Sequence, residues 1–325
     1  MGFGNYSRDA HEALIQVRAR LSKEEVFKQR KTHALMDPKG VHARESRDSE
    51  GHPTSMPIVF ALDVTGSMGE IPTRMARQEL PHFMKMLGEC GVADPQVLFM
   101  AVGDATCDAA PLQVGQFETT AELMDQWLTW SFLEAGGGGQ AHESYELALY
   151  FIAEHTLTDR WLKRKKRGYV LMTGDELPYP MLSRHQVEAL VGDRLDGDVP
   201  FADVVAAVQE SYELFFLIPA LDRRKNCEKV WRDVLGDQVV CMTEPADTCY
   251  VSAGIIGLSE GAIKDLDDLA HRLEKAGVPN VRVRSAVQVL TPYATWLDRD
   301  GGARHRIERV SPAAKGESFW KRLLK

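Results

Sequence analysis

Ile58-Val59-Phe60-Ala61-Leu62-Asp63-Val64-Thr65-Gly66-Ser67 is the stretch on which the fold turns. Five apolar residues run without a break, and a carboxylate and two hydroxyls follow at alternate positions. A short, unbroken apolar run bounded by polar residues is the pattern of a strand buried on both faces. Such a strand would deliver the oxygens of Asp63, Thr65 and Ser67 onto one loop. All-oxygen ligands suit a hard cation such as Mg²⁺, which is commonly held by one or two carboxylates with other positions left to water or ligand. The competing explanation is a turn in which a hydroxyl caps the next helix, but a helix start needs one cap and not three convergent oxygens.

Further apolar runs of the same kind lie at 97–102 (VLFMAV), 169–172 (YVLM), 214–218 (LFFLI) and 239–242 (VVCM). Between them the apolar spacing predicts helices over 72–87, 120–130, 143–153, 187–190, 202–208, 226–235 and 246–258. Buried strands alternating with helices predict an α/β fold: a three-layer, doubly wound, mostly parallel sheet of Rossmann-like type. In such sheets ligands bind beyond the carboxyl ends of the strands. That rule selects Asp63-Val64-Thr65-Gly66-Ser67, Gly103-Asp104 and Thr173-Gly174-Asp175-Glu176.

The segment ALDVTGSMG at 61–69 resembles the metal-ion-dependent adhesion site of von Willebrand factor A (VWA) domains, whose pattern is Asp-x-Ser/Thr-x-Ser. Residues 57–258 follow the order of strands and helices of that family. The resemblance implies a second loop before the third helix and a third after the fourth strand. The second would be the glycine-rich stretch 136–144, which resembles that of the alpha-kinase-linked branch of the family. Its ligand position falls on Glu143, where Thr is usual, and the extra negative charge would weaken the metal's pull on an acidic ligand. The third loop contributes Asp175, acting through water, and Asp104 is a candidate for the same outer position. The implied cofactor is Mg²⁺ or Mn²⁺.

What the resemblance implies is a cytoplasmic, non-catalytic module of bacterial type that grips an acidic group of a protein partner through the ion. Partners of such modules include MoxR-like AAA+ ATPases and kinase or phosphatase systems, and their sites switch by a sliding last helix, here near 246–258. The rival expectation is a Mg²⁺-dependent phosphoryl transferase or hydrolase, with Asp104 or Asp108 as the working acid.

The 325 residues carry 44% hydrophobic and 26% charged side chains, an ordinary composition for a packed core, and a net charge of -8. An acidic chain has no global field for nucleic acid or an anionic membrane. No stretch approaches the ~20 apolar residues of a membrane span. The first seven residues have neither the basic start nor the apolar core of a secretory leader. Five cysteines, odd in number and without a CxxC pair, predict free thiols in a reducing compartment.

Other signals point nowhere specific. Gly136-x-Gly138-x-x-Ala141 would need, as a dinucleotide site, an acid about 20 residues on at the end of the next strand, but that strand ends much further away, at Thr173. His142-Glu143 has Glu146 where a zincin needs its second His. There is no phosphate-binding P-loop, and Thr65 stands where a nucleophile elbow needs Gly. The basic run Lys163-Arg164-Lys165-Lys166-Arg167 reads as a solvated helix end, and Trp127, Trp130 and Phe132 as packing. The expected division is an N-terminal extension at 1–55, the metal-binding domain at 56–260, and a C-terminal helix and basic tail at 261–325. Ser22 and Glu25 predict a capping box. Residues 43–57 read as a loop, and 281–290 (VRVRSAVQVL) as a strand within a separable tail.

Overall fold

The computed structural model describes residues 4, 6–18, 20–68, 71–74, 80–134 and 141–301. Six strands form the central sheet: β1 (Met56–Asp63), β2 (Pro95–Val102), β3 (Leu112–Val114), β4 (Gly168–Thr173), β5 (Tyr212–Ile218) and β6 (Val239–Cys241). Each of the five apolar runs is one of these strands. Their order across the sheet is β3-β2-β1-β4-β5-β6, parallel throughout except for β3, which runs antiparallel to β2 at the edge. The order reverses between β1 and β4, and a crevice for ligands is expected at the carboxyl ends of those two strands.

Alternation along the strands makes three layers. Ile58, Phe60, Leu62, Phe99, Leu171 and Phe215 face one apolar cluster, whereas Val59, Ala61, Met100, Val170, Met172 and Phe216 face the other. The helices that cover the sheet are α1 (Leu80–Glu89), α2 (Ala121–Thr129), α3 (Tyr145–Glu154), α4 (Phe201–Ser211), α5 (Arg224–Leu235), α6 (Thr248–Glu260), α7 (Leu266–Lys275) and α8 (Asn280–Trp296). Residues of α1, α6, α7 and α8 belong to the first cluster and those of α3, α4 and α5 to the second. This is the three-layer, doubly wound architecture that the sequence predicts.

Two segments depart from the sequence reading. Residues 281–290 are helical, not extended, and form most of α8. The alternating valines suggest period two, but Val283, Ala286, Leu290 and Tyr293 lie at helical spacing and all are buried. They pack on α6, where a side chain at Gly254 would meet Leu290 and Leu269. Likewise α7 is mostly charged, yet Leu269 and Leu273 are fully buried. The segment 43–57 is not all loop: Arg44–Ser46 pairs in parallel with Thr156–Thr158, and Met56 and Pro57 belong to β1. The capping box is present, with Ser22 N donating to Glu25 and Glu25 N to the Ser22 hydroxyl. The expected closing helix and most of the basic tail lie outside the described residues.

Part of the basic run is paired within the protein, while Lys163, Lys165 and Lys166 stay exposed. Lys163 and Arg164 pair with Asp48, and Arg167 with Glu213. Trp127 donates to Glu118, and Trp130 stacks on His33. All five cysteines are free.

Candidate functional site

Asp63 ends β1 at the switch point, paired in register with Val102 and completely buried. The chain leaves the strand in a tight turn because one carboxylate oxygen, Oδ1, accepts both the Thr65 amide (3.0 Å) and the Thr65 hydroxyl (2.5 Å). The other oxygen, Oδ2, accepts the hydroxyl of Tyr145 at 2.6 Å. Tyr145 is the first residue of α3 and wholly buried. It lies so close to Gly174 that any side chain there would strike its ring, so glycine leaves β4 where the tyrosine passes. Burial raises the Asp63 carboxyl to about 7, although the bonds from Thr65 and Tyr145 oppose this. Gly66–Met68 forms a single 3₁₀ turn, and the side chain of Ser67 lies outside the described residues.

Three loops are sewn together beside Asp63. His142–Glu143 pairs in parallel with Leu177–Pro178, joining the stretch before α3 to the stretch after β4. The Ser144 amide donates to the Gly103 carbonyl (3.1 Å), and the Ser144 hydroxyl accepts the Ala105 amide (2.9 Å). These bonds tie the head of α3 to the loop after β2. Glu143 is thereby held at 5% exposure, with its Oε2 lacking a hydrogen-bond partner. Burial first, and then the charges of Asp63, Asp104, Asp108 and Glu176, push its carboxyl up to about 9. Glu146, one turn further along α3, is fully buried, and its Oε1 also lacks a partner. Burial raises it to about 8.

Asp175, just past β4, is buried and pairs with the guanidinium of Arg223, which immediately precedes α5. The next residue's carbonyl, that of Glu176, accepts the indole N–H of Trp231 at 3.2 Å. Asp104 is buried too, but its oxygens accept the Thr106 amide and hydroxyl and the Tyr179 hydroxyl at 2.7–3.1 Å. Asp108 accepts the Asp104 amide at 2.8 Å.

Of the residues singled out from sequence, Asp63 and Thr65 are in direct contact, Asp175 acts electrostatically on Asp63, and Asp63 acts on Glu143. Asp104 belongs to the rim on the Glu143 side. Tyr145, Glu146, Tyr179 and Arg223 are parts of the site that sequence reasoning missed. An exclusively apolar run of neighbours at 147–152 hides Tyr145 as a core aromatic. The described residues contain no group of three or more His, Cys, Asp or Glu arranged to hold a metal ion. A cation here would therefore depend on hydroxyl oxygens beside the carboxylates. The donor chemistry meets that condition, for carboxylate and hydroxyl oxygens are all hard ligands and Oε2 of Glu143 is buried without a hydrogen bond.

No family model matches the sequence, and no curated protein matches it. Among solved structures, the chain is similar to the pilus adhesin SpaC from Lactobacillus rhamnosus GG in two crystal structures. One matches at 11% identity and a TM-score of 0.40 over 67% of this chain and 32% of the adhesin. The other, in an open conformation, matches at 11% identity and a TM-score of 0.42 over 70% and 31%. A von Willebrand factor type A protein from Catenulispora acidiphila is similar at 12% identity and a TM-score of 0.35, over 64% of this chain and 43% of that one. The chain thus spans about a third of the adhesin's length. At these identities and scores the likenesses assign no ligand, partner or activity.

Proposed function

We propose that this protein is a VWA-like binding module that holds a divalent cation, Mg²⁺ or Mn²⁺, at Asp63, Thr65 and Ser67, and uses it to grip a carboxylate of a protein partner. One observation carries the reading: at the switch point of a β3-β2-β1-β4-β5-β6 sheet, a buried Asp-x-Thr turn stands beside Glu143, whose inward oxygen has no partner. Buried carboxylates without partners are costly, and a bound cation is one of the few things that offsets the cost. Asp63 and Thr65 would hold the ion with Ser67, Glu143 would supply a further oxygen, and Asp175 would act from behind. The ion's contribution is a positive centre with positions open to a ligand oxygen. The protein's own contribution is rigidity: Tyr145 orients Asp63, and the 142–143/177–178 ladder holds Glu143 at the rim.

The enzymatic alternative has less support. Asp104 accepts bonds from Thr106 and Tyr179 and Asp108 accepts the Asp104 amide, so both acids serve to shape the loop after β2. Among the described residues no helix is long and apolar enough to cross a membrane. The proposed setting is cytoplasmic, with a partner of the AAA+ ATPase or kinase and phosphatase type implied by the family resemblance.

Calorimetric titration with Mg²⁺ and Mn²⁺ tests the reading. The wild-type protein should bind one ion, more tightly as pH rises from 6 to 9, because the ion competes with protons on Asp63 and Glu143. Asp63→Ala should keep the fold and lose the binding. Unchanged affinity in that variant removes the site.

A further inference from the structure

The acid cluster already has a cation of its own. Arg223 closes the turn at 220–223, where its amide donates to the Ala220 carbonyl (3.2 Å), and its guanidinium reaches back to Asp175. Asp175 is only 2% exposed and its charge acts on Asp63. Arg223 is about one-third exposed, so it bridges the buried cluster and the surface. The same helix, α5, also takes the carbonyl of Glu176 through Trp231, whose ring lies flat on Phe216 of β5 at 3.7 Å. Consecutive residues of the loop after β4 are thus held from one helix, Asp175 at its head and Glu176 two turns on.

The helix that family resemblance would have move, α6, is closely packed. On α6, a side chain at Gly254 would meet Leu290 and Leu269, and one at Gly257 would meet Ile263 and Cys90. Residues 248–257 of α6 are all buried. By contrast, α5 carries charged side chains on its outer face and begins at a short exposed turn that includes Leu221.

We propose that Arg223 is a tethered cation that competes with the divalent ion for the charge of Asp175, and so sets the ion affinity of the site. The inference rests on the metal-site reading above. While the guanidinium neutralises Asp175, an ion at Asp63 experiences one carboxylate fewer. Removing Arg223 restores that carboxylate to the ion, and binding tightens. The head of α5 and the 220–223 turn are then the part of the surface that responds to ion occupancy.

The test is Mg²⁺ titration of wild type, Arg223→Gln and Arg223→Lys by calorimetry, with thermal melting in EDTA and in Mg²⁺ alongside. Arg223→Gln should bind Mg²⁺ about tenfold more tightly than wild type, the size expected when one charge-assisted hydrogen bond no longer has to be broken. It should also melt lower than wild type in EDTA and regain the difference in Mg²⁺. If Arg223→Gln does not melt cooperatively, Arg223→Lys decides the matter. Its single point charge replaces the planar fork and should tighten Mg²⁺ binding about threefold. A wild type that binds Mg²⁺ with both variants equal or weaker overturns this inference alone. A wild type that binds no divalent ion overturns the metal-site reading, and the competition with it.

Discussion

Glu146→Gln should remove one contribution to the pH dependence of stability that the wild-type protein carries between pH 5 and 8. Glu146 is fully buried on α3; its Oε2 accepts the Tyr179 amide at 3.3 Å, and its Oε1 has no partner. Burial lifts the carboxyl from an ordinary value near 4.5 to about 8. The native state therefore keeps the proton over a range in which the unfolded chain has released it. With more protons on the native side, stability is fully present below pH 4.5 and declines as pH rises toward 8. The slope from this one group is at most ~1.4 kcal/mol per pH unit. Over the window the total is a few kcal/mol, a sizeable part of the ~5–15 kcal/mol that stabilises a typical domain. Glutamine keeps the shape and the acceptor for Tyr179 and cannot ionise. Urea unfolding in EDTA at pH 5, 6, 7 and 8 measures both proteins. Asp63 and Glu143 titrate in each, so the difference between the two curves isolates Glu146. Relative to wild type, the variant should gain stability steadily from pH 5 to pH 8. A difference that does not change with pH refutes the assignment of a buried neutral acid.

Three further outcomes follow from the same structure. Tyr145→Phe removes the donor to Asp63 Oδ2 and should cost about 1.5–3 kcal/mol in chemical denaturation, the range for a hydrogen bond to a charged group; no measurable loss means that the bond does not form in solution. Truncation after Gly277 deletes the buried Val283, Leu290 and Tyr293, worth roughly 1.5–3 kcal/mol each, and strands the buried Asp247 that Arg282 pairs with. The shortened chain should aggregate or lose cooperative melting, and a soluble, cooperatively melting product would show that α8 is dispensable. Thiol titration of the denatured, unreduced protein should count five, whereas in the native state exposed Cys107 should react first and buried Cys90, Cys227 and Cys249 last.

How much could be read in advance depends on where the governing interactions lie. The five apolar runs were legible as strands because each is short, rich in β-branched and aromatic residues and set between segments of helical spacing; the equally apolar run at 147–152 is helical, so length and burial alone do not decide. The Asp63-x-Thr65 turn was legible because its bonds join residues two apart. Edge strand β3 escaped notice because Leu112–Val114 is three residues long and pairs antiparallel on one side only. Periodicity misled at 281–290, where valine alternation imitates a strand. Only the surface offered by α6 and α7 shows that every third or fourth residue is the buried one.

The sequence by itself determined the parallel sheet, the strand end that carries the candidate site, and the oxygen chemistry of Asp63, Thr65 and Glu143. Tertiary structure alone decided what surrounds them. Tyr145 meets Asp63 from 82 positions away, and Arg223 meets Asp175 across 48. Neither pairing leaves a periodic trace, because a single buried hydroxyl or guanidinium is placed by the packing of whole helices against a sheet. The charge balance of the site is set in that way: local sequence supplies the acids, and the distant chain supplies what neutralises them.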